Sequence, residues 1–92
     1  MQDDEFEWDD GKAARNLKGH GVSFEVARQA FDDPNWMEFD DPDPDEVRYN
    51  RICMLTGQLY VVTYTERGAR TRIISARRAE NHEQRRYFNR QT

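Results

Sequence analysis

The alternation of apolar and polar residues divides the first third of the chain into a short strand and two helices. FEWDD alternates apolar and acidic residues and predicts a strand that leads into a helix, because Asp9 or Asp10 can cap a helix N-terminus. The helix covers GKAARNLKG and ends at the glycines on either side of His20. A second helix, FEVARQAF, begins after Ser23 and ends before Pro34, because proline disfavours helical geometry in the preceding residue.

Alternation with a period of two dominates the rest of the chain. A short strand in NWMEF and the acidic segment DDPDPDE precede three strands, RYNRICML, QLYVVTYT and RTRIISA, which are separated by TG and ERGA. Short turns that contain glycine favour antiparallel pairing of consecutive strands. A last helix, ENHEQRRYFN, can pack Tyr87 and Phe88 on the sheet. These elements predict one α+β domain over residues 1–92, an antiparallel sheet packed by two N-terminal helices and one C-terminal helix.

The charged residues are divided unevenly along the chain. Residues 1–46 carry four basic and fifteen acidic residues, a net charge of −11, whereas residues 47–92 carry ten arginines and three glutamates, a net charge of +7. The formal net charge of −4 and the pI of about 5.1 therefore conceal a basic half. Such a half favours a polyanion or an acidic protein as its partner. The alternative is that the arginines pair with the acidic residues of the first half.

Several other protein classes do not fit the sequence. The acidic start MQDDEFEWDD does not resemble a secretory signal, the apolar runs are too short to span a bilayer, and the single Cys53 permits no intramolecular disulfide. We therefore expect a cytoplasmic protein with no membrane partner. No P-loop, serine triad or metal-binding spacing occurs, and the aspartates at 41, 43 and 45 lack the glycine and glutamate that an EF-hand loop needs. We expect no cofactor and no metal.

The arginines of RTRIISARR are candidate phosphate ligands. Strict alternation places Arg70 and Arg72 on one face of this strand and Ser75 and Arg77 on the other, with Arg77 opening the turn that follows. Arginine donates two parallel hydrogen bonds to a phosphate and stays charged at any working pH. The sequence therefore predicts a basic surface suited to a phosphate group.

Three tyrosines and a histidine add to this candidate chemistry. Tyr49, Tyr60 and Tyr64 lie near the arginines in sequence, and a sheet of this composition resembles an RNA-binding surface on which rings stack against bases. His20 lies between two glycines at a helix end, where it can be exposed and its cationic form is favoured by the helix dipole. It is a candidate acid or base, and the alternative is a simple role at the helix end.

These motifs resemble the BrnT family of type II toxin-antitoxin toxins, small ribonucleases with a RelE-like fold. The resemblance rests on FEWDDGKAARNL, HGVSFEVARQAF, RIISARRA and the terminal E.RRY, and covers nearly the whole chain. It implies a toxin that cleaves RNA and arrests growth, is neutralised by a BrnA-like antitoxin, and meets operator DNA only through the antitoxin complex. Family members typically carry a basic residue directly before the His-Gly pair, where this chain has Gly19, with Lys18 one position earlier.

The resemblance also suggests roles for individual residues. In a metal-independent transfer of an RNA phosphate to the neighbouring 2′-hydroxyl, Arg72 and Arg77, together with Arg48, would hold the phosphate and stabilise its added charge. His20 or Glu83 would move the proton. The further residues expected to bind RNA are Lys18, Arg51, Arg70 and Arg78. Two alternatives remain: a non-catalytic module that binds RNA or an acidic antitoxin, and a toxin that has lost its activity, to which Gly19 points.

Overall fold

A computed structural model describes residues 1–40 and 47–90 of the chain. Its elements are β1 (Phe6–Glu7), α1 (Asp10–His20), α2 (Phe24–Ala30), β2 (Met37–Asp40), β3 (Tyr49–Leu55), β4 (Gln58–Arg67), β5 (Arg70–Arg78) and α3 (Asn81–Asn89). Every helix and strand predicted from the pattern is present, so the α+β fold is confirmed. The acidic segment at 41–46, with the aspartates considered for calcium, lies outside the described residues. No described helix combines the length and apolar character needed to cross a membrane.

The five strands form one sheet in the order β1-β5-β4-β3-β2. Strands β2 to β5 are antiparallel, as their short turns predict. The departure is β1, which lies parallel to β5 with Phe6 opposite Thr71 and Glu7 opposite Arg72. The sheet is therefore mixed, and β1 covers only the first part of β5. Because β1 ends at Glu7, β5 is the edge of the sheet from Ile73 onward.

Local side-chain and backbone contacts fix the ends of the first two helices. The carboxylate of Asp9 accepts a hydrogen bond from the Lys12 backbone N–H at 2.8 Å and caps α1. The helix ends at Gly21, whose φ of 70° lies in the left-handed region that glycine adopts without a steric cost. The hydroxyl of Ser23 accepts from the Val26 N–H at 3.1 Å and caps α2. Both predicted helix starts are therefore confirmed.

Helices cover both faces of the sheet. On one side, the α1/α2 face, the core is built around Phe24, Val62, Ile73, Ala76 and Cys53, all of them at most 1% exposed. On the other side, the α3 face, a smaller cluster joins the sheet to α3 through Tyr87, and its remaining buried members are Ile52, Leu59, Val61 and Ala79. Only part of the α3 face is apolar, and this leaves the polar region described below.

A β-bulge in β5 changes which of its residues share a face. Thr63 of β4 pairs with Ser75, but the next residue, Tyr64, pairs with Ile73, so the register passes over Ile74. An extra residue on one strand shifts the alternation of all residues beyond it. The strict alternation predicted for this strand is therefore wrong after Ile73.

Candidate functional site

The bulge brings two of the predicted phosphate ligands onto the same face. Ile73 and Ala76 both enter the α1/α2 core, so Arg72, Ser75 and Arg77 share the α3 face. Sequence alternation alone had placed Arg72 and Arg77 on opposite faces. We define the arginine face as the polar part of the α3 face on strands β4 and β5, formed by Thr63, Thr65, Arg70, Arg72, Ser75 and Arg77.

Between its arginines, the arginine face carries two hydrogen-bonded threonine hydroxyls. The Thr63 hydroxyl donates to Asn50 Oδ1 at 2.6 Å, and the Thr65 hydroxyl donates to the Val47 carbonyl oxygen at 2.7 Å. Arg48 is half-buried and lies two residues before Asn50, which accepts the hydrogen bond from Thr63. The surface is therefore polar on β3, β4 and β5, and its positive side chains come from β5.

The carboxylate of Glu83 binds the two terminal nitrogens of the Arg77 guanidinium. Arg77 Nη1 and Nη2 donate to Glu83 Oε1 and Oε2 at 2.7 and 2.8 Å, and the Glu80 backbone N–H donates to Oε1 at 2.8 Å. These bonds from Arg77 lower the pKa of Glu83 despite its burial, and Glu83 raises the pKa of Arg77. A carboxylate in this state is a weak proton acceptor. The geometry favours an orienting role for Glu83 over proton transfer.

Glu7 holds Arg72 in a similar way. Arg72 Nη1 donates to Glu7 Oε2 at 2.7 Å, and the side chains are 24% and 13% exposed. Arg70 lies beside this pair and its Nε donates to the Asp3 carbonyl oxygen at 2.6 Å. Arginines of the basic half therefore do contact the acidic half. Within the part of the chain that the structure describes, the Arg72 side chain makes one hydrogen bond, to Glu7. The remaining N–H groups of Arg72 therefore face solvent or a ligand.

His20 lies at the same end of β5 as Arg77 and Arg78, across the sheet edge. The N-cap Asp9 follows β1, whose Glu7 lies opposite Arg72, and Asn16 in the middle of α1 bonds to Ala76, so α1 runs along β5 in the strand's direction. His20 is one turn beyond Asn16 and is exposed, as are Lys18 and Arg78. Because β5 is the edge of the sheet here, residues from both faces of the sheet are exposed at that edge.

Arg51 and Tyr64 lie on the α1/α2 face of the sheet, away from the arginine face. The Arg51 guanidinium is 4.1 Å from the Phe31 ring centroid and 3.9 Å from that of Trp36, on the α1/α2 face. Tyr64 is 3% exposed, its hydroxyl donates to Glu38, and burial raises its pKa. The expectation that Tyr64 stacks on bases is therefore wrong, because its ring belongs to the core. The structure does not bring Arg51 to the arginine face.

Two residues have structural roles at the site that the sequence argument did not assign to them. Glu7 had no assigned role, although in FEWDD it alternates with the buried Phe6 and Trp8 and so must face the other way. Asn16 had no assigned role either, yet it is buried at 8% and bonds to β5. The available signal was that Asn16 is a polar residue on the side of α1 that faces the sheet. Within residues 1–40 and 47–90, no cluster of three His, Cys, Asp or Glu is arranged to hold a metal ion.

Comparison with known proteins identifies the family. A family model described as a ribonuclease toxin, BrnT, of type II toxin-antitoxin systems matches residues 8–83. No curated protein gives a significant match to the sequence. The matched region runs from Trp8, directly after β1, to Glu83 in the first turn of α3, and it contains both His20 and the whole arginine face. Since most of the 92 residues match, the chain belongs to the BrnT family of ribonuclease toxins from type II toxin-antitoxin systems.

Proposed function

We propose that this protein is an endoribonuclease toxin that cleaves RNA without a metal ion, by attack of a 2′-hydroxyl on the adjacent phosphate. The observation that carries the proposal is the placement of Arg72 and Arg77 on one face of β5, each hydrogen-bonded to a carboxylate. Two fixed guanidinium groups suit a phosphate whose charge increases in the transition state.

The proposed reaction is transfer of the RNA phosphate to the neighbouring 2′-hydroxyl. The 2′-oxygen forms a bond to phosphorus, the bond from phosphorus to the 5′-oxygen breaks, and the products are a 2′,3′-cyclic phosphate and a 5′-hydroxyl. His20 takes the proton of the 2′-hydroxyl, and a proton from solvent neutralises the leaving 5′-oxygen. DNA is not cleaved because it lacks the attacking hydroxyl.

The arginines act on the phosphate from different directions. Glu83 accepts hydrogen bonds from both terminal nitrogens of Arg77, Nη1 and Nη2. The phosphate therefore approaches the Nε side of the guanidinium, where Nε–H and the second N–H of the neighbouring terminal nitrogen point in the same direction. Arg72 contributes the N–H groups that Glu7 does not use, and Arg48, directly before β3, adds a positive charge. Lys18, Arg70 and Arg78 contact neighbouring phosphates of the same RNA strand. Glu83 keeps Arg77 in place and transfers no proton.

The partner in the cell is an antitoxin of the BrnA type. The basic half of the chain, with its net charge of +7 from ten arginines and three glutamates, suits an acidic segment of such a protein. We propose that the toxin acts in the cytoplasm and that operator DNA is contacted only by the toxin-antitoxin complex. No cofactor takes part.

The test is cleavage of end-labelled RNA by the purified protein, with and without EDTA, beside DNA of the same sequence. We expect cyclic phosphate ends, no effect of EDTA and intact DNA. Arg72→Ala and Arg77→Ala should each lower kcat by about 100-fold, the loss typical for one donor to a developing oxyanion. Arg85→Ala, which removes an exposed arginine of α3, is the matched control and should cleave normally.

The same variants test growth arrest. Arg72→Ala and Arg77→Ala should relieve it while circular dichroism shows that they are folded. Folded variants that remain fully toxic would remove Arg72 and Arg77 from the mechanism. RNA that stays intact but bound at high protein concentration would instead identify a non-catalytic binding module.

A further inference from the structure

Asn16 connects three parts of the fold through one side chain. It lies on α1, is 8% exposed, and its Nδ2 donates to the Val22 carbonyl oxygen at 2.9 Å and to the Ala76 carbonyl oxygen at 2.7 Å. Its Oδ1 accepts from the Ala76 backbone N–H at 3.1 Å. Both amide ends are therefore engaged, and all three bonds are made to backbone atoms.

The position of these bonds explains why an amide is present. β1 stops opposite Arg72, so the peptide groups of β5 beyond that point have no neighbouring strand on one side. At Ala76 the side-chain amide of Asn16 supplies one donor and one acceptor, as the backbone of a further strand would. An apolar residue here would leave buried peptide groups without partners, which is rare in folded proteins.

The same bonds connect the two parts of the candidate catalytic site. Ala76 directly precedes Arg77, and Val22 follows the turn that begins at His20 and Gly21. The amide of Asn16 therefore sets the separation between the chain segment that carries the proposed base and the strand that carries the proposed phosphate ligand. A shift of about 1 Å between such groups can lower a rate about 100-fold.

We propose that Asn16 is a positioning residue for RNA cleavage, which fixes His20 relative to Arg77 without touching the substrate. This inference rests on the proposed function. It assigns to the amide a role in the rate of reaction in addition to its role in folding, and the two roles are separable by experiment.

The critical variant is Asn16→Gln, which keeps the donor and the acceptor but adds one methylene group between them and α1. We expect kcat for RNA cleavage to fall 10- to 100-fold with KM changed less than twofold, because binding groups stay while their alignment is lost. Val26→Ala is the control. It shortens a half-buried side chain on α2, which carries no site residue, and it should keep kcat even where its stability loss equals that of Asn16→Gln. Should Asn16→Gln not fold, Asn16→Ser takes its place in the same comparison.

A double-mutant cycle then separates positioning from general damage. If Asn16 acts through His20, Asn16→Gln should lower kcat far less in a His20→Ala background than in the wild type, and the part of the pH profile lost in His20→Ala should also weaken in Asn16→Gln. Wild-type kcat in folded Asn16→Gln, or effects that multiply independently with His20→Ala, would overturn the positioning role while the proposed function stands. A wild-type protein that cleaves no RNA would overturn both.

Discussion

The pair formed by Arg77 and Glu83 allows a quantitative test of how the site is held together. The change is Glu83→Gln, which preserves the size and shape of the side chain. Its carbonyl oxygen can replace Oε1 and keep the bonds from Arg77 Nη1 and the Glu80 N–H, at 2.7 and 2.8 Å in the wild type. Its amide nitrogen then replaces Oε2 and faces Arg77 Nη2, which was 2.8 Å from the oxygen, so two donors oppose each other.

The expected loss of stability follows from these contacts. One hydrogen bond between charged groups contributes about 1.5–3 kcal/mol, and removing one partner of a fully buried ion pair costs about 3–5 kcal/mol. Glu83 is buried with a side chain 6% exposed, but that of Arg77 is 35% exposed and can turn toward water. Solvent screening of Arg77 therefore places the loss near the lower end of the first range, about 1.5–2 kcal/mol in the free energy of unfolding.

The assay is urea denaturation at pH 7, followed by circular dichroism. The matched control is Glu80→Gln, because Glu80 lies 4.0 Å from Arg77 and its side chain is 66% exposed, so its ion pair should contribute less than about 0.5 kcal/mol. Cleavage of RNA is measured on the same samples, and kcat should fall in Glu83→Gln alone. Equal stabilities for the two variants would show that the bonds to Glu83 do not hold Arg77, and the reasoning would then fail.

Three further predictions concern pH, a hydrogen bond and a helix residue. Since Arg77 holds the folded-state pKa of Glu83 below its ordinary value of 4.5, the stability this provides is complete above that value and is lost as the pH falls through the lower folded-state pKa. Between about pH 6 and pH 3, Glu83→Gln should therefore lose less stability to acid than the wild type in urea denaturation. Tyr87→Phe removes the hydroxyl that donates to Asp33 at 2.7 Å, and thermal denaturation should show a loss of about 1 kcal/mol. Gly19→Ala should raise the free energy of unfolding by about 0.5–1 kcal/mol, because Gly19 is helical and a Cβ there meets no atom within 4 Å.

The elements of the fold were predictable because each is encoded within its own segment. The caps of α1 and α2 and the alternation of β3 and β4 involve residues a few positions apart. The parallel pairing of β1 with β5 was not predictable in this way, since it joins residues such as Phe6 and Thr71 that are distant in sequence. A two-residue strand also has too few positions for its partner to be inferred from its pattern.

The strand that carries Arg72 and Arg77 was predictable, but the arrangement of the two arginines on it was not. Arg72 and Arg77 were chosen for their chemistry, and the strand carrying them was correct. Their common face depends on the bulge at Ile74, which has no local signature because isoleucine favours regular strands. The bulge lets both Ile73 and Ala76 enter one core, so the requirement of the core outweighs the regular alternation.

Pairing with carboxylates does not by itself remove the arginines from function. A free arginine side chain loses up to about 2 kcal/mol of conformational entropy when a ligand fixes it, and an arginine already held by a carboxylate has paid most of that cost on folding. If Glu83 merely neutralised Arg77, Glu83→Gln would free a positive charge and bind RNA more tightly without losing kcat. If Glu83 orients Arg77, the same variant loses kcat even where RNA affinity rises with the added net positive charge. The same two interpretations, neutralising or orienting, apply to Glu7 and Arg72, where a hydrogen bond of 2.7 Å joins the acidic half to the basic half. If Glu7 orients Arg72, a net charge of −4 is compatible with RNA cleavage, because an acidic residue of the first half then orders an arginine of the second half.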